Sequence, residues 1–180
     1  MKKTLFIVDL QRDFCAGGAL GISTADKIIP VINSIIPKYD LILASKDWHP
    51  FNTVHFEKWP VHCVAETSGA EFHKNLNSHL INYVFLKGTL NKDDGYSAFE
   101  ATNNHLDTFL KEHGVTELDI CGLATDYCVR ATTLDALKYG YKVRIITDAI
   151  DAVNIKPGDA AQALSEMLEA GALLITSNDI

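Results

Sequence analysis

Apolar residues in this 180-residue chain form short runs that alternate with segments of helical periodicity. Six runs resemble strands, at residues 4–8, 41–44, 83–86, 118–121, 143–146 and 173–176. Most of them are uninterrupted, which is typical of strands buried on both faces of a parallel sheet. Between the runs, apolar residues recur at helical spacing over 28–36, 106–110, 131–137 and 160–168.

This alternation predicts a single-domain α/β fold over residues 1–180: a doubly wound, mostly parallel sheet of about six strands with helices on both faces. Glycines commonly end helices, and Gly114, Gly140 and Gly171 each follow a helical segment. Pro157 stands where the last helix can begin. The positions of these glycines and of the proline therefore support the predicted ends of the helices.

The segment from about residue 47 to residue 79 has no clean period, yet it contains both tryptophans and five of the seven histidines. A long aperiodic segment inside a compact domain is usually functional or disordered, and the aromatic content favours function. We expect a metal-binding loop there.

Charge and composition narrow the classes of partner. A net charge of −7 and a pI near 5.4 argue against nucleic acid, which needs clustered Lys and Arg. No apolar run approaches the roughly 18 to 20 residues that span a bilayer, and the apolar stretch after Met1 is too short for a signal peptide. We expect a cytoplasmic protein without a membrane partner; a homo-oligomer stays open. We interpret the four cysteines as reduced thiols: Cys15, Cys63, Cys121 and Cys128.

Polar residues follow the predicted strands where ligands bind in open α/β sheets, at the carboxyl ends. Asp9 follows the first strand, Asp47 and His49 the second, Lys87 the third, residues 122–128 the fourth and Asp148 the fifth. We expect all of them at one edge of the sheet. The segment after the first strand contains no glycine-rich turn, which argues against a nucleotide-binding loop.

Cys128 is predicted near the start of a helix, with Thr125 or Asp126 placed to cap it. The positive end of a helix dipole favours thiolate, and the unpaired N–H groups of the first turn can stabilise an oxyanion. The alternative is a packed thiol. Asp9 could instead be a helix cap or ion-pair partner, and Lys87 could extend to solvent, but together with Cys128 they supply a nucleophile, a base and an ammonium.

A second cluster predicts a metal site. Asp47 and His49 alternate along an extended segment, so both side chains face the same side, and His62 can complete the set with His55 between them. Mixed carboxylate and imidazole ligation suits zinc, iron or manganese in a catalytic site. The alternative is that these are loop histidines that bind nothing.

Five segments together resemble the isochorismatase-like cysteine hydrolases, and within them the nicotinamidases. The resemblance spans nearly the whole length and depends on the order and spacing of residues 8–14, 47–50, 59–64, 87–88 and 122–129.

The resemblance implies that Asp9, Lys87 and Cys128 form a catalytic triad. It also implies one divalent metal ion, Zn²⁺ first and Fe²⁺ or Mn²⁺ as alternatives, bound by Asp47, His49 and His62 with His55 as a further candidate. It places a cis peptide between Leu123 and Ala124 and an oxyanion hole at the N–H groups of Ala124 and Cys128. The aromatic residues implied to line the substrate pocket are Phe14, Trp59, Tyr96 and Tyr127; core packing is the alternative for them.

The activity implied by the resemblance is hydrolysis of nicotinamide to nicotinic acid and ammonia through a cysteine thioester, as in NAD salvage, with pyrazinamide as a further substrate. Another small carboxamide or a ureido compound is the alternative substrate. Isochorismate hydrolysis is disfavoured, because those members lack the cysteine that this chain has as Cys128. A non-enzymatic binding protein that kept the fold is the rival of a different class.

Overall fold

The sheet of this protein contains six strands, seen in a computed structural model that describes residues 2–180. The strands are Thr4–Val8 (β1), Leu41–Asp47 (β2), Tyr83–Lys87 (β3), Glu117–Leu123 (β4), Lys142–Asp151 (β5) and Leu173–Ile175 (β6). They are arranged in the order β3-β2-β1-β4-β5-β6, and every neighbouring pair is parallel. The predicted doubly wound sheet is confirmed. Met1, the first residue of the domain expected over 1–180, lies outside the described residues.

Helices cover both faces of this sheet: Ile28–Ile35 (α1), Leu106–Glu112 (α2), Arg130–Lys138 (α3) and Asp159–Glu169 (α4). The side chains of β1 alternate between two apolar cores. Phe6 and Val8 pack in the core that contains residues of α2, α3 and α4, and Leu5 and Ile7 pack in the core that contains α1. All four are fully buried, and each buried side chain of this size stabilises the fold by about 1.5–3 kcal/mol.

The buried face of α3 differs from the apolar pattern in the sequence. Ala131, Leu134 and Leu137 are only half-buried, whereas Thr132, Thr133 and Ala136 are fully buried. A threonine can be buried when its hydroxyl has a partner, and Thr132 Oγ1 accepts the Ala98 N–H at 3.0 Å. Tertiary packing, with a hydrogen bond at Thr132 but none at Thr133 among the described residues, therefore buries a different face from the one that periodicity predicts.

The expected position of Asp148 is also corrected. β5 continues to Asp151, so Asp148 lies within the strand, and its carboxylate accepts hydrogen bonds from the N–H and hydroxyl of Ser177. It therefore does not belong to the edge where the other polar residues meet. The expected helix-ending glycines are confirmed by positive φ, at +67° for Gly114, +90° for Gly140 and +110° for Gly171. Among residues 2–180, no helix is long and apolar enough to cross a membrane.

Candidate active site

The strand order reverses between β1 and β4, and a doubly wound sheet binds ligands beside such a reversal. Asp9 directly follows β1, Asp47 and Lys87 end β2 and β3, and Cys128 lies in the turn after β4. All four side chains are buried and lie close together. The structure therefore brings the three residues of the expected triad to one place, together with Asp47.

The ammonium of Lys87 lies at the centre of this cluster and is fully buried. Its Nζ is 2.7 Å from Asp9 Oδ2 and 3.4 Å from Cys128 Sγ, and it donates to Asp47 Oδ1 in a short contact. It also donates to the Gly95 carbonyl at 2.6 Å. A buried ammonium needs anionic partners, so the alternative of Lys87 extending to solvent is excluded by this geometry.

Asp9 is held by its backbone and by a serine. Its φ is +45°, and its carbonyl accepts the Gln11 N–H at 2.7 Å, which closes a tight turn directly after β1. Its Oδ1 accepts the hydroxyl of Ser45, a fully buried residue of β2, at 2.7 Å. One carboxylate oxygen thus faces Ser45 and the other faces Lys87.

Burial and neighbouring charges set the ionisation of the cluster. Burial raises the pKa of Asp9, although the Lys87 ammonium partly offsets it. Burial also opposes ionisation of Asp47, but the Lys87 ammonium, with the nearby rings of His49 and His62, holds its pKa well below the usual range. The two carboxylates outweigh the effect of burial on Lys87 and raise its pKa. Asp47 is therefore the carboxylate that ionises more readily, and Asp9 is the one that takes up a proton more readily.

The turn that carries Cys128 differs from the expected helix start. Residues Thr125–Val129 form a π-helical turn before α3, and no side chain caps it. Asp126 instead accepts the N–H groups of Val153 and Asn154, at 3.0 and 2.8 Å. The peptide bond between Leu123 and Ala124 is cis, as the family resemblance implied.

The thiol of Cys128 is not favoured as a thiolate in this environment, contrary to the expectation from a helix dipole. Burial raises the pKa of Cys128 well above its usual value; Lys87 opposes this effect, and the negative charges of Asp9 and Asp47 add to it. The thiol therefore keeps its proton until a base removes it. Asp9 is the base in reach, since its carboxylate oxygen, Cys128 Sγ and an oxygen of Asp47 all lie within 4.8 Å of one another.

Three buried histidines adjoin the cluster. One ring nitrogen from each of His49, His55 and His62 can be chosen so that all three lie within 4.8 Å of one another. Asp47 Oδ2 is 3.4 Å from His49 Nε2 and 3.7 Å from His62 Nε2. Asp47 thus contacts Lys87 through one oxygen and the histidines through the other.

This donor set fits a divalent metal ion. The Nδ1 atoms of His49 and His62 face the carbonyls of Gly88 and Pro60, at 2.9 and 2.6 Å, which leaves each Nε2 with its lone pair free to ligate. His49 Nε2 is buried and has no hydrogen-bond partner among the described residues. An unpaired buried nitrogen is costly unless something binds it. One carboxylate and three imidazoles are ligands that zinc, iron and manganese accept.

Gly88 is required for this arrangement of His49. Its φ is +64°, and a Cβ there would lie 2.4 Å from Cε1 of the His49 ring. The main chain therefore approaches the imidazole more closely than any side-chain-bearing residue would permit.

An apolar cavity opens onto Cys128, Asp47, His55 and His62. All four aromatic residues expected in a substrate pocket line it: Phe14, Trp59, Tyr96 and Tyr127. Trp59 and Tyr127 meet edge to face, with ring centroids 5.0 Å apart, and Trp59 Nε1 donates to the Tyr96 hydroxyl at 3.1 Å. A flat aromatic ligand can therefore contact ring faces while a group attached to it reaches the thiol.

The isochorismatase domain family model matches residues 3–179 of this chain. The chain belongs to the isochorismatase family. Within that family it is 42% identical to the nicotinamidase of Escherichia coli, with 98% of this chain and 96% of the relative covered.

Solved structures of family members agree with this assignment. The nicotinamidase/pyrazinamidase of Acinetobacter baumannii has a TM-score of 0.92 at 34% identity, with 99% of this chain and 97% of that chain covered. The pyrazinamidase of Pyrococcus horikoshii, solved in complex with zinc, has a TM-score of 0.88 at 42% identity, with 98% and 99% covered.

Several residues of this isochorismatase-family site were not anticipated from the sequence. The buried Gln11 pairs with the backbone of Asp47 through both ends of its amide, each at 2.8 Å. Ser45 binds Asp9, and Asp93 binds His55. The sequence did contain an indication for Ser45, which is a polar residue in a buried strand, two positions before Asp47 and hence on the same face. It contained no such indication for Asp93, which lies in an irregular loop.

Proposed function

We propose that this chain is a nicotinamidase that hydrolyses nicotinamide to nicotinic acid and ammonia through a thioester on Cys128. The observation that carries the proposal is the position of Cys128 Sγ, 3.4 Å from Lys87 Nζ and at the wall of a cavity lined by aromatic rings. The nicotinamidase relatives, similar over nearly the full chain, support it.

In the first half of the reaction, Asp9 accepts the thiol proton and the sulfur of Cys128 attacks the carboxamide carbon. The N–H groups of Ala124 and Cys128 stabilise the oxyanion. Asp9 then gives its proton to the leaving nitrogen, the C–N bond breaks, and ammonia departs. Its raised pKa suits Asp9 to this exchange, because it holds a proton more readily than an exposed carboxylate.

In the second half, Asp9 takes a proton from water as the oxygen attacks the thioester carbon. The C–S bond breaks, Asp9 returns the proton to the sulfur, and nicotinic acid leaves. Throughout, Lys87 offsets the negative charge that forms near Asp9 and Cys128, from the distances at which it already contacts them.

We further propose that Asp47, His49 and His62, with His55 as a fourth candidate ligand, bind one divalent metal ion, and that residues 47–79 form the metal-binding loop. Zinc is the first choice, since the donor set suits it and the Pyrococcus relative was solved with it. When bound, the ion would orient the substrate through its pyridine nitrogen, directly or through water.

The test is ammonia release from nicotinamide, pyrazinamide and N-carbamoyl compounds, with metal content measured on the same sample. We expect turnover of nicotinamide and none by Cys128→Ala, which should still bind nicotinamide and metal. Preferential turnover of a ureido substrate would favour the alternative amidase. Ammonia release by Cys128→Ala at the normal rate would refute the nucleophile assignment.

A further inference from the structure

The three histidines of the proposed metal site differ in what holds their Nδ1 atoms. His49 and His62 face backbone carbonyls, whereas His55 Nδ1 lies 3.1 Å from Oδ1 of Asp93. Carboxylates that orient a ligating histidine fix its tautomer and its ring, and leave Nε2 free to bind metal. Asp93 is thus the one side chain among these three acceptors.

The same carboxylate oxygen also accepts a hydrogen bond from a residue that lines the substrate cavity. The Tyr96 hydroxyl donates to Asp93 Oδ1 at 3.2 Å and accepts the Trp59 Nε1–H at 3.1 Å. Tyr96, Trp59 and His55 all line the cavity. Asp93 therefore connects the histidine on one side of the cavity to two aromatic residues of its wall.

These contacts join two loop segments that are far apart in the chain. His55 and Trp59 belong to residues 53–59, and Asp93 and Tyr96 belong to residues 88–97, directly after the strand that ends in Lys87. A second link joins Val54 N–H to Asn91 Oδ1 at 2.8 Å. This second link lies at the start of the segment, whereas Asp93 contacts His55 directly and Trp59 through Tyr96, so Asp93 joins the later part of the segment to residues 88–97.

We propose that Asp93 is a positioning residue that fixes the positions of His55, Tyr96 and Trp59 relative to one another. Metal affinity and substrate affinity then depend on the same carboxylate. Its link to substrate rests on the proposed nicotinamidase function, and its link to metal rests on the proposed ligand set, which zinc binding tests separately. Asp93 touches neither the thiol cluster nor Lys87, so its loss should weaken binding rather than chemistry.

The variants Asp93→Ala, Asp93→Asn and Lys58→Ala separate this role from a merely structural one. Lys58 is the matched control: its exposed ammonium pairs with the other oxygen of Asp93, and its bond to the His55 carbonyl is made by the backbone N–H, which alanine keeps.

For Asp93→Ala we expect the zinc dissociation constant to rise roughly 10- to 100-fold, as for other residues that orient metal ligands. KM for nicotinamide should rise with kcat little changed. Asp93→Asn keeps one acceptor oxygen and should recover part of the zinc affinity and part of the substrate affinity. Lys58→Ala should resemble wild type.

Tryptophan fluorescence gives a readout that does not depend on turnover. The chain has two tryptophans, Trp48 and Trp59, so the emission change caused by Asp93→Ala should disappear in a Trp59→Phe background. Wild-type zinc affinity, KM and emission in a folded Asp93→Ala variant would overturn the proposal, as would equal losses in Lys58→Ala. If Asp93→Ala does not fold, the same comparison is decided by Asp93→Asn. Failure of the wild-type chain to release ammonia would refute the proposed function alone, because the zinc and fluorescence results still decide the role of Asp93.

Discussion

Removing the hydroxyl of Ser45 isolates one determinant of Asp9 reactivity. Ser45→Ala deletes the hydrogen bond to Asp9 Oδ1, 2.7 Å long and fully buried. That bond is a factor lowering the pKa of Asp9 against the effect of burial. Without it, the protonated form of Asp9 is favoured further, and the base is ionised over a narrower range of pH.

The size of the expected activity loss follows from the negative charge of the Asp9 carboxylate, which accepts the lost hydrogen bond. A hydrogen bond to an ionised group contributes about 1.5–3 kcal/mol, and about 1.4 kcal/mol corresponds to a factor of ten. On the acid side of the pH profile, kcat/KM of Ser45→Ala should therefore fall roughly 10- to 100-fold below wild type. At higher pH, where Asp9 is ionised in both proteins, the two curves should approach each other.

The stability effect of Ser45→Ala should have the opposite pH dependence to its effect on activity, because the lost hydrogen bond stabilises the ionised form of Asp9 in the folded state. The folded-state pKa of Asp9 is raised, so protonated Asp9 favours folding at low pH and this stability is lost as pH rises through the folded-state pKa. Ser45→Ala raises that pKa further. Its destabilisation, about 1–3 kcal/mol for an unsatisfied buried acceptor, should therefore be largest above the folded-state pKa and smaller in acid.

The assay is kcat/KM for nicotinamide across pH, with urea unfolding at two pH values. Ser34→Ala is the matched control, because its exposed hydroxyl bonds only the Val31 carbonyl among the described residues, and it should leave both profiles unchanged. A Ser45→Ala profile that superimposes on wild type, or a rate loss equal at every pH, would refute the reasoning.

Three further substitutions test the site and the fold. His49→Ala removes a proposed ligand, so bound zinc should fall and KM should rise; full zinc occupancy by metal analysis would contradict the assignment. Gly122→Ala places a Cβ 2.1 Å from the Val8 carbonyl at φ +108°, so the free energy of unfolding should fall by at least the roughly 1–3 kcal/mol of an overpacked core; an unchanged urea midpoint would show that the strands can separate. Thr133→Val removes a buried hydroxyl that has no hydrogen-bond partner among the described residues, so stability should be equal or higher, and a loss of more than about 1 kcal/mol would mean that the hydroxyl is satisfied in solution.

The sequence predicted the architecture because both of its signals are local. Continuous apolar runs specify buried parallel strands, and three- and four-residue spacing specifies the helices that cover them. The strand-end rule then brought Asp9, Asp47 and Lys87 to one edge without any knowledge of distance. The rule was wrong for Asp148, because β5 continues through its pairing with β4 as far as Asp151, and that length does not follow from its own residues.

Tertiary structure alone decided the chemistry at each of these positions. The dipole argument predicted an acidified Cys128, but burial beside two carboxylates raises its pKa, and only the assembled core creates that environment. Asp93 was not identifiable either, since nothing in an irregular loop indicates which histidine it will face. Ionisation and hydrogen-bond partners depend on solvent exclusion and on neighbours distant in sequence, whereas strands and helices follow from periodicity within a few residues. The sequence therefore determined the features that depend on nearby residues, and only the tertiary structure decided those that depend on residues far apart in the chain.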